Sequence, residues 1–279
     1  MERRFLKIII FISLLITSCQ QIPINESNKK FVGDNIDKQN LEIDLKKQEK
    51  IISYHSDIWS YILTNSSYTS DSLDEQTLMY MNRHLQDLDK FKEFLNDSYY
   101  FIFFVIEELE NAKLPIELAF LPYIESNYDP FSISSSGAVG MWQFMPRTGR
   151  TYDLERSWWN EDRHDPFKST SAAIKYLKYL YERFDQDLYL TLAAYNAGPS
   201  FLDRQIKRNQ RRGLNTDYWS LDLPIQTRNY VPKFIAIKEL IINSDQYDIE
   251  LPFIPYEPVV AKIEIPGQVE ILTLSEYLN

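Results

Sequence analysis

Apolar residues recur along most of this chain at the spacing of helices rather than strands. Between residues 73 and 94, Leu78, Met81, Leu85 and Leu88 fall every three to four positions among charged residues, which predicts an amphipathic helix. A second helix is predicted over 99–113, strongly apolar at its start. Leu114-Pro115 opens a third over 115–126, since proline suits a first helical turn. In that third helix Leu118, Leu121, Pro122 and Glu125 follow the i, i+3, i+4, i+7 rule and share a face. Asp165-Pro166 precedes a helix over about 169–184, with Ala173, Leu177, Leu180 and Phe184 as its buried stripe. A short helix over 188–197 is stopped by Gly198-Pro199, and further helices are predicted over 200–211 and 227–242, the latter with Pro232 near its start. Residues 51–68, which include Trp59, carry apolar positions at mixed spacing, and part of 40–53 suits a helix. Only the tail departs from this pattern: 259–265 and 268–272, separated by Pro266-Gly267, read as a β-hairpin. The fold class is therefore mainly α, and 7 glycines in 279 residues argue against a turn-rich β fold.

The two ends of the charge and hydropathy profile add a compartment. Arg3, Arg4 and Lys7 precede a short apolar run, 8–16, that is too short to span a bilayer comfortably and reads as an export signal. The run ends at Ile16-Thr17-Ser18-Cys19, and Cys19 is the only cysteine. Small residues before a cysteine, directly after an apolar run, resemble the bacterial lipoprotein signal. In that reading residues 1–18 are cleaved and Cys19 is lipidated; the alternative is an incidental thiol in an uncleaved anchor. One cysteine allows no intrachain disulfide, so the core alone must stabilise the domain. Residues 20–50 are polar and suit a tether. The net charge is -10, and removing 1–18 takes away three basic residues and one acid, leaving about -12; bulk nucleic-acid binding is excluded on that ground.

Candidate chemistry is sparse, which sharpens it. The three histidines, His55, His84 and His164, lie far apart without ligand spacing, so no metal or other cofactor is expected. There is no Gly-x-Ser-x-Gly elbow, no phosphate loop and no cysteine nucleophile in the domain. Glu125 is a lone acid on a largely apolar helix, where burial would raise its pKa and keep it protonated near neutral pH, fit for general-acid work. The plain alternative is a capping or salt-bridged glutamate at a helix C-terminus, the unfavourable end for an anion. Of the neighbouring acids, Asp129 before Pro130 suits a turn, and Glu117 lies more than two turns back, offset by roughly 80° around the helix. Arg204, Lys207, Arg208, Arg211 and Arg212 form a basic run, either a solvated face or a contact for acidic peptide stems.

Four separated motifs then fall in one order: Glu125-Ser126; Gly140-Met141-Trp142-Gln143-Phe144-Met145-Pro146; Ala193-Ala194-Tyr195-Asn196-Ala197-Gly198; and Thr227-Arg228-Asn229-Tyr230-Val231-Pro232. Together they make residues 115–232 resemble the catalytic core of the lytic transglycosylases of the soluble-transglycosylase-like group, which have a goose-type lysozyme-like fold. The resemblance is closest to the membrane-bound lytic transglycosylase D branch and extends over about 57–266. It implies the organisation 1–18 signal, 19–50 lipidated cysteine and tether, 51–112 helical extension, 113–245 lysozyme-like domain, and 246–279 extension with the hairpin. It also implies a substrate, the glycan strands of peptidoglycan, cut between N-acetylmuramic acid and N-acetylglucosamine without water to leave 1,6-anhydro ends. By motif position Glu125 is the acid and then the base. Ser134 helps hold substrate, Gln143 and Met145 line the groove, and Tyr195 brings its hydroxyl near the acid. Asn196 braces the same loop, and Tyr230 is a groove or packing residue. Gln226 stands where the family usually has glutamate, and Trp142 where many members have a smaller residue. The rival readings are a muramidase using the same Glu125 with water, and a non-catalytic murein-binding lipoprotein. The expected location is the periplasm, anchored by lipid, with the outer membrane preferred because Gln20 is not the aspartate of inner-membrane retention.

Overall fold

The computed structural model describes residues 57–66 and 73–261. The signal run, Cys19, the tether, the 40–53 helix and most of the expected hairpin lie outside the described residues. Residues 259–261, the first of that hairpin, form no strand, and β pairing among the described residues is confined to isolated bridges.

Asp57–Tyr256 forms one compact helical unit. It opens with α1 (Ile58–Asn65), capped by Asp57, whose carboxylate accepts from the Trp59 and Ser60 amides at 3.0 Å. The Trp59 indole donates to the Pro252 carbonyl at 2.6 Å, and Asp57 bridges Pro255, so the first helix is clasped to the far end of the unit. The expected helix over 73–94 is two helices, α2 (Glu75–Leu85) and α3 (Leu88–Asn96). Asp87 causes the break: its side chain accepts from the Lys90 amide at 3.0 Å and so starts a new helix. The break also resets the helical phase. Leu78 and Leu88 are exposed, and the buried faces are Thr77, Tyr80 and Met81 in α2 and Phe91 and Leu95 in α3.

Next, α4 (Ile102–Ala112) ends at Lys113 in the left-handed conformation (φ 58°). The expected single helix over 115–126 is instead a 3-10 turn, Ile116–Phe120, followed by the one-turn α5 (Leu121–Glu125). Pro122 explains the change, because without an N–H it cannot donate back to Leu118. A short α6 (Pro146–Thr151) leads to α7 (Pro166–Arg183), capped by Asp165 at 2.9 and 3.0 Å from the Phe167 and Lys168 amides. Ala173, Leu177, Leu180 and Phe184 are all buried, as their spacing requires. Then α8 (Leu188–Ala197) stops at Gly198 (φ 86°), and α9 (Pro199–Arg211) turns its basic residues to solvent, opposite the buried Leu202 and Asn209.

The last long helix, α10 (Ile225–Ile242), is the spine of the unit and packs against α2, α8, α5 and the 116–120 turn. It starts earlier than its sequence pattern suggests, which puts Pro232 inside it. A proline there leaves the carbonyl four residues back without its donor. That carbonyl belongs to Arg228, and the Tyr218 hydroxyl fills the vacancy at 2.8 Å while reaching the Thr227 carbonyl at 3.0 Å.

Candidate active site

Glu125 ends α5, half-buried, with the chain turning away after it. The left-handed pair Asn127 (φ 58°) and Tyr128 (φ 60°) makes that turn, and the Tyr128 hydroxyl is anchored to the Ala119 carbonyl at 2.5 Å. Asp129 accepts from the Phe131 amide at 2.8 Å, a local turn contact. Glu117 is fully buried and accepts from Ser66 at 2.6 Å, apart from the bonds that surround Glu125.

The segment after this turn folds onto itself. Ile133 pairs with Val139 and Val139 with Phe144, and the Gly140 amide donates to the Ser132 carbonyl at 2.8 Å. Gly140 has φ 83°, and a side chain on it would overlap the backbone carbonyl of Arg163. Arg163 is itself buried, with its guanidinium donating to the Gly137 and Phe144 carbonyls at 3.1 and 2.8 Å and gripping Glu161 through two bonds of 2.7 Å. Nothing in the sequence pattern marks this arginine, because its partners are loop carbonyls. Trp142 is fully buried and donates to Thr170 at 2.9 Å, so the departure at this position fills the core.

Hydrogen bonds join the four motifs in a closed ring around the acid. Ser126, next to Glu125, donates to the Met141 carbonyl at 2.8 Å. Tyr195 on α8 donates to the adjacent Trp142 carbonyl at 2.7 Å. Asn196, beside Tyr195, accepts from Thr227 on α10 at 2.9 Å. One turn further along α10, Tyr230 donates to Oε1 of Glu125.

The other sequence-picked residues have plainer placements. The Ser134 hydroxyl accepts from the Ala138 amide at 2.9 Å and lies 3.0 Å from the Ser136 hydroxyl. Gln143 is left-handed (φ 48°) and its amide donates to the Gly140 and Ser132 carbonyls at 2.9 and 3.3 Å, so it shapes the loop it belongs to. Met145 is 43% exposed at the start of α6 and offers an accessible thioether. Gln226 is exposed in the first turn of α10 and is not among the groups that act on the Glu125 carboxyl. The hydroxyl bonded to the acid is that of Tyr230; Tyr195, expected near the acid, feels the Glu125 charge while its hydroxyl donates to the Trp142 carbonyl.

Electrostatics follow from this enclosure. Loss of water raises the Glu125 pKa to about 7, although the Tyr230 hydrogen bond and the charge of Lys233 both pull it down. Tyr230 and Tyr195 are pushed well above the usual phenol range, first by burial and then by the Glu125 charge, so both stay protonated donors. Tyr230 occupies Oε1, which leaves Oε2 to carry the proton of the neutral acid. A carboxylic acid half-protonated near neutral pH can give a proton and take one back.

A transglycosylase SLT domain matches residues 104–217. The chain is 32% identical over 232 residues to the membrane-bound lytic murein transglycosylase D of Escherichia coli, covering 81% of this chain and 50% of that protein. It is 33% identical over 108 residues to the membrane-bound lytic murein transglycosylase F of Alcanivorax borkumensis, covering 37% and 22% of the two chains. The solved 70 kDa soluble lytic transglycosylase of Escherichia coli aligns at 18% identity with a TM-score of 0.43, over 74% of this chain and 34% of that one. The chain thus spans half the length of the curated transglycosylase D it matches, and less of the other.

Proposed function

We propose that this chain, whose residues 104–217 match the transglycosylase SLT domain, cuts peptidoglycan glycan strands as a lytic transglycosylase with a goose-type lysozyme-like domain. The observation that carries this reading is the ring of hydrogen bonds that closes on Glu125 and the raised pKa of the acid inside it.

Glu125 in its neutral form gives its proton to the bridging oxygen between N-acetylmuramic acid and N-acetylglucosamine. The C1–O bond breaks with the electron pair leaving on that oxygen, and C1 passes through an oxocarbenium-like state. The carboxylate so formed takes the proton of the muramic 6-hydroxyl as its oxygen bonds to C1. Glu125 ends protonated as it began, no water is consumed, and a 1,6-anhydro ring results. The muramic N-acetyl group assists at C1, so a second carboxylate is not needed. Among the described residues the ring around Glu125 brings in tyrosines and amides rather than a second acid, which suits that route.

Gln143 and Met145 line the sugar groove in this reading, with Ser134 at its edge. Cys19 carries the lipid that holds the domain at a membrane facing the periplasm, with the outer membrane preferred.

Mass spectrometry of sugars released from purified sacculi tests the proposal. Anhydromuramyl ends from the native chain and none from Glu125→Gln are expected. Reducing muramic ends would make the protein a muramidase. Binding without release across a range of pH would leave it a murein-binding lipoprotein.

A further inference from the structure

Two cations from different helices lie against one aromatic ring, and the charge of one of them, Lys233, reaches Glu125. The Arg83 guanidinium of α2 lies 5.3 Å from the centroid of the Tyr80 ring, and the Lys233 ammonium of α10 lies 5.5 Å from it. Tyr80 is buried to its rim, while Arg83 and Lys233 are both exposed. The ring attracts each cation. Among the described residues no carboxylate lies within ion-pair distance of either, although the Lys233 charge reaches the Glu125 carboxyl, in a chain that has 40 acids against 30 basic residues. Among the described residues the Arg83 guanidinium makes one hydrogen bond, a weak one to the Met79 sulfur at 4.0 Å.

Their place relative to Glu125 is fixed by α10. Lys233 is three positions after Tyr230, so the two side chains share a face, and Tyr230 is bonded to the acid. The basic run of α9 has no such link: its cations point away from the core, and Arg208 is paired with Asp222 at 3.0 Å.

We propose that Arg83 and Lys233, held against Tyr80, form a carboxylate-binding site that grips the peptide stem of a muramic residue next to the bond being cut. The inference rests on the proposed transglycosylase reading and deepens it: the enzyme selects strands that still bear stems. Peptide stems hang from the muramic ring through its lactyl group and carry free carboxylates. The guanidinium offers two parallel donors to such a group, and the ammonium supplies a second charge. One of the two cations comes from α2, so the helical extension takes part in recognition.

The experiment compares kcat/KM of the full chain on soluble glycan strands with stems and on the same strands stripped by an amidase. Native protein favours stemmed strands. In Arg83→Gln the ratio of the two values falls about threefold to fivefold, through KM, and 0.5 M salt erodes the native preference in the same way. Arg83→Lys restores part of the ratio. Arg83 is exposed, so the variant folds, which a matching Tm verifies. An unchanged ratio in Arg83→Gln, or equal native rates on both substrates, overturns the stem site and leaves the transglycosylase reading standing. Cleavage of neither substrate by the native chain brings down that reading, and the stem site with it.

Discussion

The Tyr230 hydroxyl donates to Oε1 of Glu125 across 105 positions of sequence. That bond favours the ionised acid and also fixes which oxygen presents the proton. Tyr230→Phe removes both effects at little cost in shape. We expect kcat to fall about tenfold, in line with the loss of one positioning hydrogen bond. The alkaline limb of the pH–rate profile should move to higher pH. A profile that loses rate without moving would mean that Tyr230 only packs.

The raised pKa of Glu125 predicts that activity and stability both fall as pH rises. Activity needs the protonated acid, so the rate should decline as pH rises through about 7. For stability, the folded pKa of about 7 exceeds the ordinary value of 4.5, so the folded state binds more protons between those limits. Stability therefore falls as pH rises from about 4.5 to about 7. Glu125→Gln cannot ionise and should have a higher Tm than the native protein at pH 8, with the gap closing at pH 4. Equal Tm values at pH 8 would show that burial does not strain this carboxyl.

Tyr218 repairs the gap that Pro232 opens in α10. Tyr218→Phe leaves the Arg228 carbonyl without that donor and should cost about 1–2 kcal/mol in denaturant unfolding. The double variant with Pro232→Ala, which restores an amide donor, should recover part of that loss. Additive effects would show that the two positions act independently.

Gly140 has two reasons to be glycine, its left-handed φ and the Arg163 carbonyl where a side chain would go. Gly140→Ala should destabilise the protein by about 3 kcal/mol or more and detach the loop that carries Gln143. Hydrogen exchange would show the Val139 and Phe144 amides losing protection first, since those two residues exchange backbone bonds.

Arg163→Met tests the brace on that same loop. It removes donors from two carbonyls and, among the described residues, leaves Glu161 the Arg156 ion pair at 3.3 Å. We expect a loss of about 3–5 kcal/mol, the usual cost of breaking a buried charged network on one side. A loss below about 1 kcal/mol would mean water replaces the guanidinium.

What the sequence revealed and what it hid divide by the range of the interaction. The stripe of α7 and the stop at Gly198 are written in neighbouring residues, and so they were legible. The break at Asp87 was hidden because Leu78, Met81, Leu85 and Leu88 keep one helical phase across it, and only the cap contact ends the first helix. The 3-10 turn before α5 follows from Pro122, a signal present in the sequence but outweighed by the apolar pattern around it. The four motifs pointed to Glu125, yet the choice of Tyr230 over Tyr195 as its partner depends on where α10 passes. The hold of Arg163 on the Gly137 and Phe144 carbonyls and the meeting of Arg83 with Lys233 left no trace in local pattern, because those partners come from distant segments.

The ring around Glu125 has a consequence for timing. Each of its links joins segments far apart in the chain, so none survives in a partly folded state where those segments have not yet met. In such a state Glu125 is bathed in water, titrates near 4.5 and is almost wholly ionised at neutral pH, with no proton to give. On the proposed transglycosylase reading, cutting ability is therefore the last property the chain acquires and the first it loses. On that same reading, the nascent chain carries its own safety catch, because the acid gains its proton only once the fold closes around it.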